Sequence, residues 1–356
     1  MIIFSWNIQK VTAKKARQFA TVFGRVVAET AGDVPFVLFV YENKSHPVDV
    51  LSALGTGITA SDLAWKWIST GGATGLRENI LIISGNGATF DVPVLFTGWK
   101  AEFGDRCRAM HQAEKEAVRL EVARLGGRST RATTADARDR RIAAIDSGTF
   151  RPADDFRSPV EITARYEGKH VRILALHSPG PSAGNEHEAP FAHTYAESIF
   201  NNANGFDLII GDFNLRTHEV GSNGYVDQGV QLGATTKGRE EGRHTFSRLD
   251  RVYGRPGFGV SSALVSDGQE RDLTDHHCLA VRVESREQRL ISDYFAFRPS
   301  PIRQQEVLYE NRERAFEARK RASKPTPFMK GREGRRAEAV KRSKQARLEE
   351  FAKRRL

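Results

Sequence analysis

Four positions on this chain place a polar, chemistry-bearing residue at the end of an apolar run. Asn7 follows residues 2–6, Glu42 follows residues 36–41, Asp212 and Asn214 follow residues 206–210 across Gly211, and Asp275 stands beside His276. One polar residue at a strand end commonly just meets solvent. Four such ends imply more if the strands finish at one edge, because their termini then converge into a polar cleft above a packed core. Carboxylates gathered there repel one another unless a cation sits among them. The chemistry expected of such a cleft is that of a bound metal ion.

Two short segments carry the local detail. In Gly211-Asp212-Phe213-Asn214 the glycine permits a tight turn, and Asp212 and Asn214, two positions apart, can face one cleft, one taking a proton while the other donates a hydrogen bond. In Thr274-Asp275-His276 the histidine is the candidate acid or base. His277 beside it is an alternative, but adjacent residues diverge in direction, so only one should face the cleft.

The elements that must position these residues are legible as apolar runs. Residues 2–8, 36–42, 79–84, 160–166, 170–177, 206–210, 245–253 and 278–283 read as strands, with a further strand-like piece at 90–97. Phe19, Val22, Phe23, Val26 and Val27 recur at helical spacing, and 49–69 and 189–202 also read as helical. From about 100 to 158 Ala, Arg, Glu and Asp dominate, which predicts a charged helical insertion, partly mobile. Strands separated by helices favour an α/β arrangement of packed sheets.

Composition narrows the chemistry. Cys107 and Cys278 are the only cysteines, too few for a disulfide framework or a cysteine-rich metal site, so any metal is held by oxygen and nitrogen. Hard oxygen ligands select Mg²⁺, Mn²⁺ or Ca²⁺ over Zn²⁺. The formal charge of +10 is concentrated in residues 285–356, which hold 21 Lys and Arg against 10 Asp and Glu, leaving residues 1–284 near neutrality. Pro299, Pro301, Pro325 and Pro327 divide this basic tail into helical or partly disordered pieces near 304–323 and 332–355. Such charge suits a nucleic-acid backbone, an anionic membrane surface or an acidic protein. No run approaches the ~18 apolar residues of a membrane span, so no transmembrane segment is expected. The start has no basic leader and no small-residue cleavage site, so no secretory signal is read. A cytoplasmic location is expected, and delivery by another secretion route is compatible with the sequence.

Taken in order, Ser5-Trp6-Asn7-Ile8, Tyr41-Glu42-Asn43, Leu176-His177, Gly211-Asp212-Phe213-Asn214, Leu249-Asp250-Arg251-Val252-Tyr253 and Thr274-Asp275-His276 resemble the motifs of the endonuclease/exonuclease/phosphatase superfamily. The resemblance covers residues 1–284. It implies a four-layer α/β sandwich of two packed mixed β-sheets flanked by helices, here with the insertion at 100–158 and the basic helical tail at 285–356. It also implies a Mg²⁺-dependent hydrolase, with Mn²⁺ as a substitute, in which Glu42, Asn7 and Asp275 hold the metal. Asp212 would orient or deprotonate the attacking water and Asn214 would help fix that water or a phosphate oxygen. His276 would bond the phosphate and be held in one tautomer by Asp250, while His177 would be the second histidine, with Glu78 as its carboxylate partner. His276-His277-Cys278 departs from the family, which continues through a proline. The substrate expected is nucleic acid, as for a DNA endonuclease, on the basic tail and on the segment after His177, which loosely resembles the deoxyribonuclease-like branch. A phosphatase of phosphoinositides or other small phosphate esters is the alternative, and a binding protein without turnover is the third reading.

Overall fold

The apolar runs fold as neighbouring strands, and the polar residues that end them come out on one side. A computed structural model of the chain describes residues 1–8, 13–43, 63–71, 78–124, 133–178, 189–215, 221–229, 235–240, 243–264, 274 and 276–283. The chain divides into two units, Met1–Arg303 and Gln304–Leu356. The second unit lies outside the described residues, and with it both helices expected in the tail.

The first sheet is built outward from β1 (Ile2–Asn7), buried along its length. β1 runs parallel to β2 (Phe36–Asn43) and antiparallel to β15 (Leu279–Val283). Beyond β2 lie β4 (Glu78–Gly85) and the edge strand β3 (Ala64–Gly71), and beyond β15 lies β14 (Val260–Leu264), giving six strands in the order β14-β15-β1-β2-β4-β3. Among the described residues the second sheet has seven strands. β8 (Lys169–His177) and β9 (Leu208–Asp212) are parallel at its centre, with β13 (Asp250–Gly254) antiparallel to β9 and β7 (Val160–Tyr166) antiparallel to β8. β10 (Val226–Asp227), β5 (Thr89–Phe90) and β6 (Val94–Leu95) complete it. A separate two-stranded hairpin joins β11 (Thr236–Glu240) to β12 (Arg243–Ser247).

Alternation along each strand divides the interior into layers. Ile2, Phe4 and Trp6 of β1 face a core under helix α1 (Ala13–Thr30), which contributes Phe19, Phe23, Val26 and Val27. These are the residues whose helical spacing marks the helix in the sequence. Phe4 meets Phe23 edge to face at 5.6 Å and burying such a ring contributes about 1.5–3 kcal/mol. Ile3, Val37, Phe39 and Tyr41 face the other way, onto Ile162, Ile173, Ala175 and Ile210 of the second sheet. The far side of the second sheet is covered by α2 (Lys100–Arg124) and α5 (Ala192–Asn202), through Phe103, Cys107, Tyr195, Ile199 and Phe200. Helix, sheet, sheet and helix stack as four layers, the architecture expected.

The structure corrects two expectations. Residues 64–69 are strand, not helix: Trp65, Trp67 and Ser69 alternate with Lys66 and Ile68, and the segment pairs antiparallel with β4. Residues 49–62 lie outside the described residues. The insertion is helical as expected, with α3 (Thr133–Asp146) and the short α4 (Pro152–Asp155) following α2. Residues 245–253, expected as one strand, are two, because β12 ends at Ser247 in the hairpin and β13 begins at Asp250 in the second sheet; within the insertion, Trp99, Phe103, Phe150 and Phe156, too widely spaced to show a period, close the third core against Tyr195. Ion pairs tie the insertion together, such as Arg106–Glu197 to α5 and the buried Arg141 with Glu114 within the insertion.

One backbone position fixes how β9 delivers its acid. Gly211 has φ +146°, and a Cβ there would stand 1.9 Å from the Leu176 carbonyl oxygen of β8. Only glycine fits at that approach. Gly211→Ala should therefore cost about 3 kcal/mol or more of stability, read as a lower denaturation midpoint; a midpoint equal to the parent's would contradict the packing described.

Candidate active site

The parallel pairs put several strand ends at one edge. Asn7 ends β1 beside Tyr41, one residue before Glu42, and His177 ends β8 opposite Asp212 at the end of β9. Asp250 begins β13 and pairs with Asp212 from the other side. His276 lies just before β15, and its carbonyl accepts a hydrogen bond from Trp6 Nε1 at 3.3 Å.

Within the cleft, His276 Nδ1 lies 2.8 Å from Asp250 Oδ2, both side chains buried. A carboxylate at that distance accepts the Nδ1 proton and leaves Nε2 facing outward. Nε2 is 3.7 Å from Asp212 Oδ2, and the His177 Nε2 is 3.6 Å from the same oxygen. Both separations exceed a hydrogen bond, so the two imidazoles flank Asp212 without closing on it.

Asp212 is held by other partners. Its Oδ2 accepts from Asn7 Nδ2 at 3.0 Å, and its Oδ1 accepts from the Asn214 backbone N–H at 2.8 Å. Asn214 itself turns back: with φ +50° its side-chain amide donates to the Ser178 carbonyl at 2.7 Å. That amide braces the loop rather than pointing freely into the cleft. Asn7 Nδ2 also donates to Glu42 Oε1 at 3.1 Å, so one amide ties the two carboxylates together. Glu42 stands in the left-handed region at φ +56°, where the β2–β4 register shifts between Val40 and Asn43. A bulge of this kind re-aims a side chain, here toward the cleft.

Burial pushes the Asp250 carboxyl above the usual carboxylate range, and the pull of His276 and a hydrogen bond from Thr235 oppose it. Thr235 was not singled out by sequence. Its hydroxyl oxygen accepts the backbone N–H groups of Leu249 at 3.0 Å and Asp250 at 2.9 Å, and the His277 N–H donates to its carbonyl at 2.8 Å. Thr274 does the same on the other flank, donating to the Asn7 carbonyl at 2.7 Å and accepting the His276 N–H at 3.1 Å. Arg157 was missed as well. Its Nη1 stands 3.2 Å from His177 Nδ1, and it comes from the end of the insertion, where no motif marks it.

Of the residues expected in the site, Asn7, Glu42, His177, Asp212, Asn214, Asp250 and His276 come together. Asp275 and the side chain of Glu78 lie outside the described residues. The described neighbours of His177 are Arg157, Glu42 at 3.7 Å and Asp212, with the Tyr41 ring 6.1 Å away.

A divalent cation suits this donor set. Glu42 and Asp212 bring two carboxylates to one shared amide donor, and an oxygen-rich cluster of that kind favours a hard ion. Asp212, Asp250 and His276 also place one ligand atom each within 4.8 Å of one another. That trio is the poorer choice, because Asp250 and His276 already satisfy each other at 2.8 Å and a metal would have to break that pair.

No family model matches the chain, and no curated protein matches it. Solved structures do resemble it. An endonuclease/exonuclease/phosphatase family protein from Leptotrichia buccalis is 16% identical, covering 80% of this chain and 100% of that one, with a TM-score of 0.49. Truncated Caenorhabditis elegans TDP2 is 13% identical over 80% and 97%, with a TM-score of 0.47. D. rerio TDP2, solved in complex with a single-strand DNA product, is 12% identical over 80% and 99%, also at 0.47.

Thr235→Val, which keeps the shape but removes the acceptor for two buried N–H groups, should destabilise the protein by about 1–3 kcal/mol. Chemical denaturation checks it, and an unchanged unfolding free energy would show that Thr235 does not anchor the Asp250 segment. The likeness to these endonuclease/exonuclease/phosphatase and TDP2 structures is one of overall fold.

Proposed function

We propose that this chain is a divalent-metal-dependent phosphodiesterase that hydrolyses nucleic acid, acting as a DNA endonuclease with Mg²⁺ or Mn²⁺. The observation that carries the reading is the buried pair of His276 and Asp250, with Nε2 of His276 3.7 Å from Asp212 Oδ2.

Phosphodiester hydrolysis needs an in-line nucleophile and relief of the charge that grows on the phosphoryl oxygens. Asp212, held on both oxygens by Asn7 and Asn214, is placed to take the proton of an attacking water. His276 donates from Nε2 to a phosphate oxygen, and Asp250 keeps the proton on the correct nitrogens and stabilises the imidazolium. His177 faces the same position from the opposite side, backed by the fixed positive charge of Arg157. Arginine so placed suits an anionic ester. Glu42, with Asn7 beside it and Asp275 as a further candidate, would hold the cation. When bound, that ion would neutralise charge on the phosphoryl group and activate water. Asn214 acts through Asp212 and the Ser178 carbonyl rather than on substrate. The basic balance of residues 285–356 favours a polyanionic substrate over a small ester.

A plasmid-nicking assay tests the proposal, run with Mg²⁺, with EDTA, and beside phosphate release from inositol lipids. Nicking that needs the metal is expected, with His276→Ala and Asp212→Ala each lowering the rate about 10²-fold or more while remaining folded. Nicking by purified His276→Ala at the parent's rate would refute the mechanism, and phosphate release from lipid without nicking would reassign the substrate.

A further inference from the structure

Two of the four tryptophans behave differently from the other two. Trp6 and Trp99 are fully buried, whereas Trp65 and Trp67 on the edge strand β3 are 41% and 40% exposed. An indole is ordinarily drawn inside, so two exposed on one short strand form a feature that the catalytic reading does not use. Their positions are ordered. Trp65 pairs with Ile83 and Trp67 with Leu81 across the sheet, and both partners belong to the core under α1. Separated by two residues, the indoles share that face and stand about 7 Å apart along the strand.

The strand also leads to the active site. β3 runs antiparallel to β4, as β2 does, so β3 and β2 point the same way and β3 ends at the edge that carries Asn7 and Glu42. Trp67 is level with Val40, two residues before Glu42 and two strands away, which puts it about 12 Å from Glu42 by strand spacing. Lys66 belongs to the opposite face of the strand, and β3 carries no acid.

We infer that Trp65 and Trp67 form a stacking platform for unpaired bases of a single-stranded nucleic acid whose scissile phosphate lies in the neighbouring cleft. The inference rests on the proposed phosphodiesterase reading for where the strand is held, and it adds the substrate's form. Aromatic faces along a strand stack with bases without sequence preference. A separation of about 7 Å is roughly twice the ~3.4 Å step of a stacked strand, so the two rings meet bases that are unstacked from each other. A closed duplex offers no such faces.

The test uses the full chain carrying His276→Ala, titrated with a labelled oligothymidylate and with a blunt duplex of equal length. Tryptophan fluorescence and anisotropy are both read. The single strand should quench the fluorescence and bind in preference to the duplex. Trp67→Ala should weaken single-strand binding about tenfold, and Trp65→Ala with Trp67→Ala further, a loss of about 1–3 kcal/mol per base. Trp67→Phe keeps a stacking face and should stay within about threefold, which separates lost stacking from lost folding. Parallel hydrolysis of bis(p-nitrophenyl) phosphate by chains with His276 intact should be unaffected by the tryptophan changes. Equal oligonucleotide affinity in the double variant would overturn the platform. So would fluorescence that responds to phosphatidylserine vesicles and not to the oligonucleotide, since the ledge would then be a membrane contact. If the parent failed to hydrolyse the small diester, the phosphodiesterase reading would fall, and the binding titration would still decide the platform.

Discussion

A buried imidazole keeps one orientation only when a fixed acceptor takes the proton from one of its nitrogens. Asp250 is that acceptor for His276, at 2.8 Å and with both groups out of solvent. Much of the surrounding structure serves this pair. β13 begins at Asp250 because Thr235 and β9 hold its backbone, and His276 is set by Trp6, Thr274 and the turn into β15. Burying a carboxylate is costly unless a partner compensates. The cost is visible in the raised pKa of Asp250, and His276 and Thr235 supply the compensation.

Parallel pairing explains why the remaining groups meet. β1 with β2, and β8 with β9, each run in one direction, so Asn7, Glu42, His177 and Asp212 all emerge where the strands stop. The two sheets pack through Ile3, Phe39, Ala175 and Ile210, which brings the two sets of ends within reach of each other. Asn7 then spans the sheets, with one hydrogen bond to Glu42 on its own sheet and one to Asp212 on the other. Special backbone geometry occurs at this edge as well: the left-handed Glu42 and Asn214, and Gly211 pressed against Leu176. Such conformations persist only where the surroundings over-determine them.

The parts legible in sequence were those in which one residue type at one place was enough. Apolar runs ending in Asn7, Glu42, His177 and Asp212 announced both the strands and their chemistry, and the spacing of Phe19, Phe23 and Val26 announced α1. What stayed hidden depended on distant pairing. Thr235 and Arg157 act through partners 15 and 20 residues away, and neither type signals such a role. The alternation of Trp65 with Trp67 was a strand signal, overlooked because it follows a stretch read as helical. The insertion's share of the core was not legible because Trp99, Phe103, Phe150 and Phe156 are scattered between charged residues, and only folding against α5 assembles them.

The central claim is that His276 and Asp250 remain a proton-sharing pair while a divalent ion binds on the Glu42 side of the cleft. A crystal grown with Mn²⁺ and recorded for anomalous scattering locates that ion directly. The account predicts one strong peak about 2.1 Å from a Glu42 carboxylate oxygen, with the Asp250–His276 contact intact. A peak seated between Asp250 and His276, with that contact broken, would contradict it.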